Sequence, residues 1–193
     1  FQTFEATTSP HHGPVRLAHL RHQMSEEGLD GFLVPRADAH QGEYVAPCDE
    51  RLAWLTGFTG SAGFAAVLPD VVGVFIDGRY RLQVVDQVAT EFTPVHWPEV
   101  SLTNWLIEML PEGGNVGFDP WLHTVEAITT QTKALADHHI TLVPCDNLVD
   151  RIWDDRPDPP TDPFTAHPIE FAGETAAEKR KRVAQSVPCI ITL

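Results

Sequence analysis

Ten histidines in a chain of 193 residues raise metal chemistry first. His19, His22 and Glu26 fall at i, i+3 and i+7, which places them on one face of a helix. That face lies opposite the stripe Leu17, Leu20 and Met24, and no HExxH or comparable spacing of zinc ligands occurs, so a water-facing polar surface is the simpler reading. The pairs His11-His12 and His138-His139 point neighbouring rings in different directions, a poor geometry for joint ligation. Asp38, His40 and Glu43 bring two carboxylates and an imidazole into one loop at the expected carboxyl end of a strand, an edge where α/β sheets bind ligands. Their alternative role is structural: satisfying backbone donors in the loop or pairing with Arg51. Residues 57–63, GFTGSAG, resemble a phosphate cradle but lack a GK[ST] ending and GxGxxG spacing. They also run from helix to strand, the reverse of a phosphate loop. Ser61 is no nucleophile elbow, since Thr59 takes the place of the first glycine of GxSxG. Tight backbone approach or positive φ accounts for these glycines. Arg79, where a strand gives way to a helix, presents a planar fork to a carboxylate or pairs with Asp77 or Glu43. Trp97, Trp105, Trp121 and Trp153 read as core or domain-interface residues.

The elements that must position these groups follow from periodicity and punctuation. Pro14 opens a helix over 14–27, with Gly28 as its C-cap. A buried strand follows over 31–35, then a polar loop over 36–48, and Asp49 is expected to cap a short helix carrying Leu52, Trp54 and Leu55. Residues 63–68 and 72–76 are apolar and interrupted by Pro69-Asp70, a hairpin pattern. A helix over 79–88 and a strand over 91–97 come next. Leu102, Trp105, Leu106, Met109 and Leu110 then repeat with helical spacing after Ser101, a good N-cap. Residues 116–118 form a strand. Val125, Ile128, Thr132 and Leu135 predict a helix capped by Thr124, 140–143 a last strand, and 148–153 a short helix. Strands alternating with helices, plus one hairpin, predict an α/β fold with a mixed sheet flanked by helices.

Prolines 157, 159, 160, 163 and 168 then stiffen the chain. The expected organisation is a domain over 1–153, a Pro-rich linker over 154–172 and, over 173–193, the start of a truncated second domain. Pro188 is expected to stop the last helix. Thirteen Lys plus Arg against twenty-seven Asp plus Glu gives a net charge of −14, which argues against nonspecific binding to nucleic acid or anionic membranes. Apolar residues make up 42% of the chain without a run long enough to span a bilayer, and no secretory signal is read, so a soluble, cytoplasmic protein is expected. Cys48, Cys145 and Cys189 fit neither a disulfide framework nor a CxxC zinc knuckle.

Four stretches carry a resemblance: DAHQGEYVAPCDERLAWLTGFTGSAG over 38–63, IDGRYRLQ over 76–83, LPEGGNVGFDP over 110–120 and NLVDRIWDDRP over 147–157. In order and spacing they resemble the N-terminal domain of the three-domain Xaa-Pro aminopeptidases, the aminopeptidase P group of the creatinase and prolidase superfamily, over about residues 14–160. The resemblance implies a ribonuclease H-like α/β domain, followed by a related second domain and a catalytic domain of pita-bread fold. It implies a parent metallopeptidase that hydrolyses the bond before a penultimate proline, with two divalent metal ions, manganese the expected metal. Their ligands are two aspartates, a histidine and two glutamates, all in that catalytic domain. None of those motifs occurs in this chain, so no catalytic residue, metal ligand or cofactor is assigned to it, and it is expected to be inactive alone. The implied partners are its own catalytic domain, Xaa-Pro peptide substrates and a second copy in a homodimer. In relatives this domain borders the active-site entrance, and Tyr44, Arg51, Phe58, Arg79 and Tyr80, which belong to the matched loops, are the candidates for that wall. The alternative is a peptide- or histone-binding module of a noncatalytic pita-bread relative, which the acidic charge suits.

Overall fold

Strand residues that are apolar on both faces need cover on both sides, and the segment Gly31–Pro35 is of that kind. The computed structural model describes residues 8–186. In chain order the elements are helix α1 (Gly13–Glu26), strand β1 (Gly31–Pro35), α2 (Arg51–Thr56), β2 (Gly63–Val67), β3 (Val72–Ile76), α3 (Gln83–Gln87), β4 (Thr93–His96), α4 (Leu102–Met109), β5 (Gly114–Phe118), α5 (Val125–Leu135), β6 (Ile140–Pro144), α6 (Leu148–Ile152), α7 (Ile169–Ala172) and α8 (Ala176–Ser186). The chain separates into two units, Phe1–Pro159 and Pro160–Leu193.

The first unit is built on one six-stranded sheet of order β4-β3-β2-β1-β5-β6. β2 runs antiparallel to β1 and to β3, while the β3/β4, β1/β5 and β5/β6 pairs are parallel. The fold is therefore the expected mixed α/β sheet, and β2 is its reversed strand. Alternation along the strands sorts the core into two layers. Phe32, Val34, Ala65, Val67, Val74 and Ile76 pack with Leu17, Leu20 and Met24 of α1, Leu52 and Leu55 of α2, and Leu148 and Val149 of α6. Leu33, Ala66, Phe75 and Val116 turn the other way, onto Leu102, Trp105 and Leu106 of α4 and Leu135 of α5. Ser101 accepts from the Asn104 amide and Thr124 from the Ala127 amide, so both expected N-caps form.

Four expectations change. Asp49 does not cap α2, because its carboxylate is taken by the Arg51 and Arg156 guanidiniums. The helix over 79–88 is a 3-10 turn, Gly78–Tyr80, followed by the five residues of α3. The Asp77 carboxylate accepts from the Arg79 amide and closes that first turn locally. In α5 only Leu135 is fully buried; Val125, at the head of the expected stripe, is 85% exposed. Trp105 and Trp153 lie in the core, but Trp121 is exposed and Trp97 half-exposed.

In the second unit, α7 lies inside the stretch read as linker, and α8 starts with a capping box: Glu178 accepts from the Thr175 amide at 2.8 Å and Thr175 accepts from the Glu178 amide at 3.2 Å. Neither helix buries a residue within this unit. The expected stop at Pro188, Cys189 and the apolar tail over 187–193 lie outside the described residues.

Candidate functional site

The strands β1, β3, β4, β5 and β6 all point their carboxyl ends to one edge of the sheet, and β2 enters from that edge. Loops emerging there meet side by side, which is why α/β sheets carry sites at this edge. Arg36, immediately after β1, ties two of them together. Its Nη1 donates to the Glu43 carbonyl at 3.0 Å and to the Ser61 carbonyl at 3.2 Å, and its Nη2 reaches Glu50 Oε1 at 3.2 Å.

The glycine loop folds around one ring. Phe58 is 1% exposed, and a Cβ added at Gly60 would lie 2.2 Å from its tip. Gly57 ends α2 at φ +88°, where a Cβ would meet the Gln87 carbonyl at 2.4 Å. Both left-handed backbone and close approach thus require glycine there, and the Phe58 amide is spent on Thr56 Oγ1 at 3.0 Å. The loop is latched to α3, since the Thr59 amide donates to Gln87 Oε1 at 3.0 Å and Gln87 Nε2 donates to Thr59 Oγ1 at 2.7 Å.

On this base sits an exposed group. The Ser61 and Tyr80 hydroxyls are 2.6 Å apart, and the Tyr80 ring stands edge-on to Phe58 at 5.5 Å. Arg79 forks onto Asp77 through Nε and Nη2, the latter at 2.7 Å, and its guanidinium carbon lies 5.0 Å from the centre of the Tyr80 ring. The Arg79 side chain is still 63% exposed, so part of its fork faces solvent. Tyr44 is exposed.

Of the five predicted wall residues, Tyr44, Arg79 and Tyr80 have surface to offer, whereas Phe58 is buried against Tyr80 and Arg51 is buried in an ion cluster. Arg51 grips Asp150 with Nε at 2.6 Å and Nη2 at 3.0 Å, and Asp49 with Nη1 at 2.9 Å. Arg156 completes the cluster on Asp150 at 2.7 Å and on Asp49 at 3.3 Å. Burial is the largest single influence and opposes the Arg51 charge, but the hydrogen bonds and charges of Asp150 and Asp49 together outweigh it and raise the Arg51 pKa. The cluster joins two of the stretches quoted above, 38–63 and 147–157. Sequence reasoning named Arg51 alone and missed Arg36, Gln87, Asp150 and Arg156; for Asp150 and Arg156 the matched charges in those stretches were the available signal.

The Asp38-His40-Glu43 loop does not assemble an acid–base pair. Asp38 Oδ1 accepts from the His40 amide at 2.9 Å and the Gly42 amide at 3.0 Å, the structural alternative, and Glu43 does not pair with Arg51 or Arg79. Those amides, Gly42 foremost, hold the Asp38 carboxyl below the usual carboxylate range, and the Arg79 side chain does the same for Asp77. Both folded pKa values lie below their unfolded ones, so the two contacts stabilise the fold above the unfolded carboxylate pKa and are lost as pH falls through the folded values. Carbon-13 titration of the aspartate carboxyls is expected to place Asp38 and Asp77 among the most acidic in the chain. Ordinary titration of both would refute these contacts.

His19 and His22 are exposed, and His22 lies 3.6 Å from Glu26. Among the described residues no three His, Cys, Asp or Glu side chains come together as a metal site. They therefore do not fit the two divalent ions that the resemblance implies. No helix among them is long and apolar enough to cross a membrane.

Comparison with known proteins gives a family description, Creatinase/Prolidase N-terminal domain, matching residues 16–152. The chain is 39% identical to rat Xaa-Pro aminopeptidase 2 over 187 residues, covering 91% of this chain and 27% of the relative. It is 37% identical to aminopeptidase P2 of Arabidopsis thaliana, covering 85% of this chain and 24% of the relative. It thus spans about a quarter of the length of the curated relatives it matches. Among solved structures, X-prolyl aminopeptidase from Caenorhabditis elegans, described as a cytosolic enzyme with a di-nuclear active site, superposes with a TM-score of 0.85 at 29% identity, over 90% of this chain and 31% of that one. The N-terminal domain of the cytoplasmic peptidase PepQ from Mycobacterium tuberculosis superposes with a TM-score of 0.56 at 26% identity, over 72% of this chain and 98% of that domain.

Proposed function

The chain belongs to the creatinase/prolidase N-terminal domain family, and from that premise we propose that it is the noncatalytic N-terminal part of an Xaa-Pro aminopeptidase, shaping the entrance to a reaction centre in another domain. The observation that carries this reading is the convergence of two matched stretches, 38–63 and 76–83, on one sheet edge, where Arg36 and Phe58 fix the loops beneath Tyr44, Arg79 and Tyr80. Arg79 supplies a cationic fork for a substrate carboxylate, and the tyrosines supply stacking surface. The reaction centre, with its two divalent ions and manganese as the proposed metal, belongs to the C-terminal catalytic domain. That domain is the principal partner, and homodimerisation of the whole is part of the same reading. The 154–172 stretch serves as linker and 173–193 as the start of the next domain. The cytosolic and cytoplasmic descriptions of the two solved relatives support a cytoplasmic location.

In the longer protein, Arg79→Ala is expected to raise KM for short Xaa-Pro peptides about tenfold, the scale of one charge-assisted contact, with kcat little changed. An unchanged KM would remove Arg79 from the wall. The net charge of −14 favours a second reading, a module for basic peptides. Calorimetry separates the two: binding of a histone-tail peptide in preference to a neutral Xaa-Pro-Xaa peptide would support the module.

A further inference from the structure

From the carboxyl ends of the neighbouring parallel strands β5 and β6 the chain departs in opposite directions. After β5 it runs to α5 on one face of the sheet, and after β6 to α6 on the other. Such a divergence opens a crevice between two strand ends, the place where α/β sheets take ligands. A crevice of about 590 Å³, within the range of small-molecule sites, lies there. Asp119 and Trp121 line it after β5, and Asp146, Asn147, Asp150 and Arg151 line it after β6.

The carboxylate of Asp119, only 8% exposed, has no counter-charge among the described residues. Its Oδ1 accepts from the Trp121 amide at 2.9 Å and its Oδ2 from Asn147 Nδ2 at 3.0 Å. Both donors are uncharged, and a carboxylate offers about four acceptor positions. The guanidiniums around the crevice are engaged elsewhere, Arg51 and Arg156 on Asp49 and Asp150, Arg151 on Glu27 and Asp146. His123 feels the Asp119 charge, but burial is the larger influence, lowers its pKa and keeps its ring neutral near pH 7. Buried charges in proteins are paired, so this one calls for a cation. The same carboxylate caps the 3-10 turn Pro120–Leu122, and that turn leaves Trp121 exposed at the crevice.

We propose that this crevice binds a small organic cation, a guanidinium or ammonium group, with Asp119 as its counter-charge and the Trp121 indole as its aromatic wall. An indole face attracts cations and stacks a planar guanidinium. A bare metal ion is disfavoured, since no three His, Cys, Asp or Glu side chains among the described residues come together to hold one. An anion is disfavoured as well, because three carboxylates line the crevice against the single guanidinium of Arg151. Free N-acetylargininamide and the arginine side chain of a peptide share the favoured chemistry.

The test is calorimetric titration of the chain with N-acetylargininamide and with N-acetylcitrullinamide, whose uncharged urea copies the guanidinium in shape. The Trp121 indole N–H resonance of the nitrogen-15-labelled chain locates the binding. The arginine compound is expected to bind at least tenfold more tightly than the citrulline compound. Asp119→Asn should remove most of that preference, and Trp121→Ala should weaken arginine binding about fivefold. Tighter binding of an acetylated, amidated glycyl-arginyl-glycine than of N-acetylargininamide would support the crevice with a polypeptide side chain as its occupant; the reverse order would support it with a free small molecule. Equal affinity for the arginine and citrulline compounds, a Trp121 resonance unmoved by either, or unchanged arginine binding in Trp121→Ala would overturn the proposal. Should Asp119→Asn fail to fold, Trp121→Ala, a change at an exposed side chain, decides together with the arginine-to-citrulline ratio of the unaltered chain.

Discussion

Replacing Arg51 by leucine is expected to cost about 3–5 kcal/mol of unfolding free energy, the scale for removing one partner of a buried ion pair. The reason lies in what is left behind. Arg51 is 5% exposed and is bidentate on Asp150 while also holding Asp49; without it, two carboxylates share only Arg156. The cluster ties α2 to α6, segments 99 residues apart in sequence, so its loss loosens the closing helix of the first unit as well as a local turn. At roughly 2–4 °C per kcal/mol for a chain of this size, thermal unfolding should move down by about 10 °C. Arg51→Lys should recover only part of this, because an ammonium cannot reproduce the two-pronged grip. Replacing Arg51 and Asp150 together by apolar residues should cost less than the sum of the single changes, since the stranded charge is then removed as well. A loss below about 1 kcal/mol in Arg51→Leu, typical of exposed pairs, would mean that the cluster does not hold the fold.

Phe58→Ala is expected to cost about as much, 3–5 kcal/mol by the usual scale for deleting a buried phenylalanine. Here the ring is the object around which the loop over 57–63 closes: the positions a Cβ would take at Gly60 and Gly63 lie 2.2 and 2.9 Å from it, and Tyr80 rests edge-on against it. Its removal leaves the glycines without a surface to wrap and Tyr80 without its support. The change should therefore appear twice, as a fall in urea midpoint for this chain and as a raised KM in the longer protein. Phe58→Leu should retain most of the stability but less of the Tyr80 orientation. A Phe58→Ala chain of unchanged urea midpoint would show that the loop holds its shape without the ring.

Much of the architecture is written in short-range patterns. The β1 segment, the β2/β3 hairpin and α4 are legible because apolar spacing and caps such as Ser101 and Thr124 act over a few residues, and the structure places them within a residue or two. The misreadings arise where a distant partner outbids a local preference. Asp49 is a good N-cap by type, but two arginines take its carboxylate. Val125 fits a helical stripe, yet the first turn of α5 faces water. Arg51 and Phe58 lie in a stretch that looks like surface loop, and only the pairing with Asp150 and the closing of glycines over a ring bury them. Arg36 carried no signal beyond its charge, because its acceptors are mostly backbone carbonyls brought near by the fold.

The measurement that bears most directly on the account is hydrolysis of an Xaa-Pro peptide by this purified chain, supplied with manganese and freed of other peptidases. With no ligand set for a metal pair among its described residues, the chain should release no N-terminal residue above the buffer rate, while the longer protein cleaves the same peptide. Metal-dependent cleavage by the chain alone would contradict the view that it shapes access to a reaction centre housed in another domain.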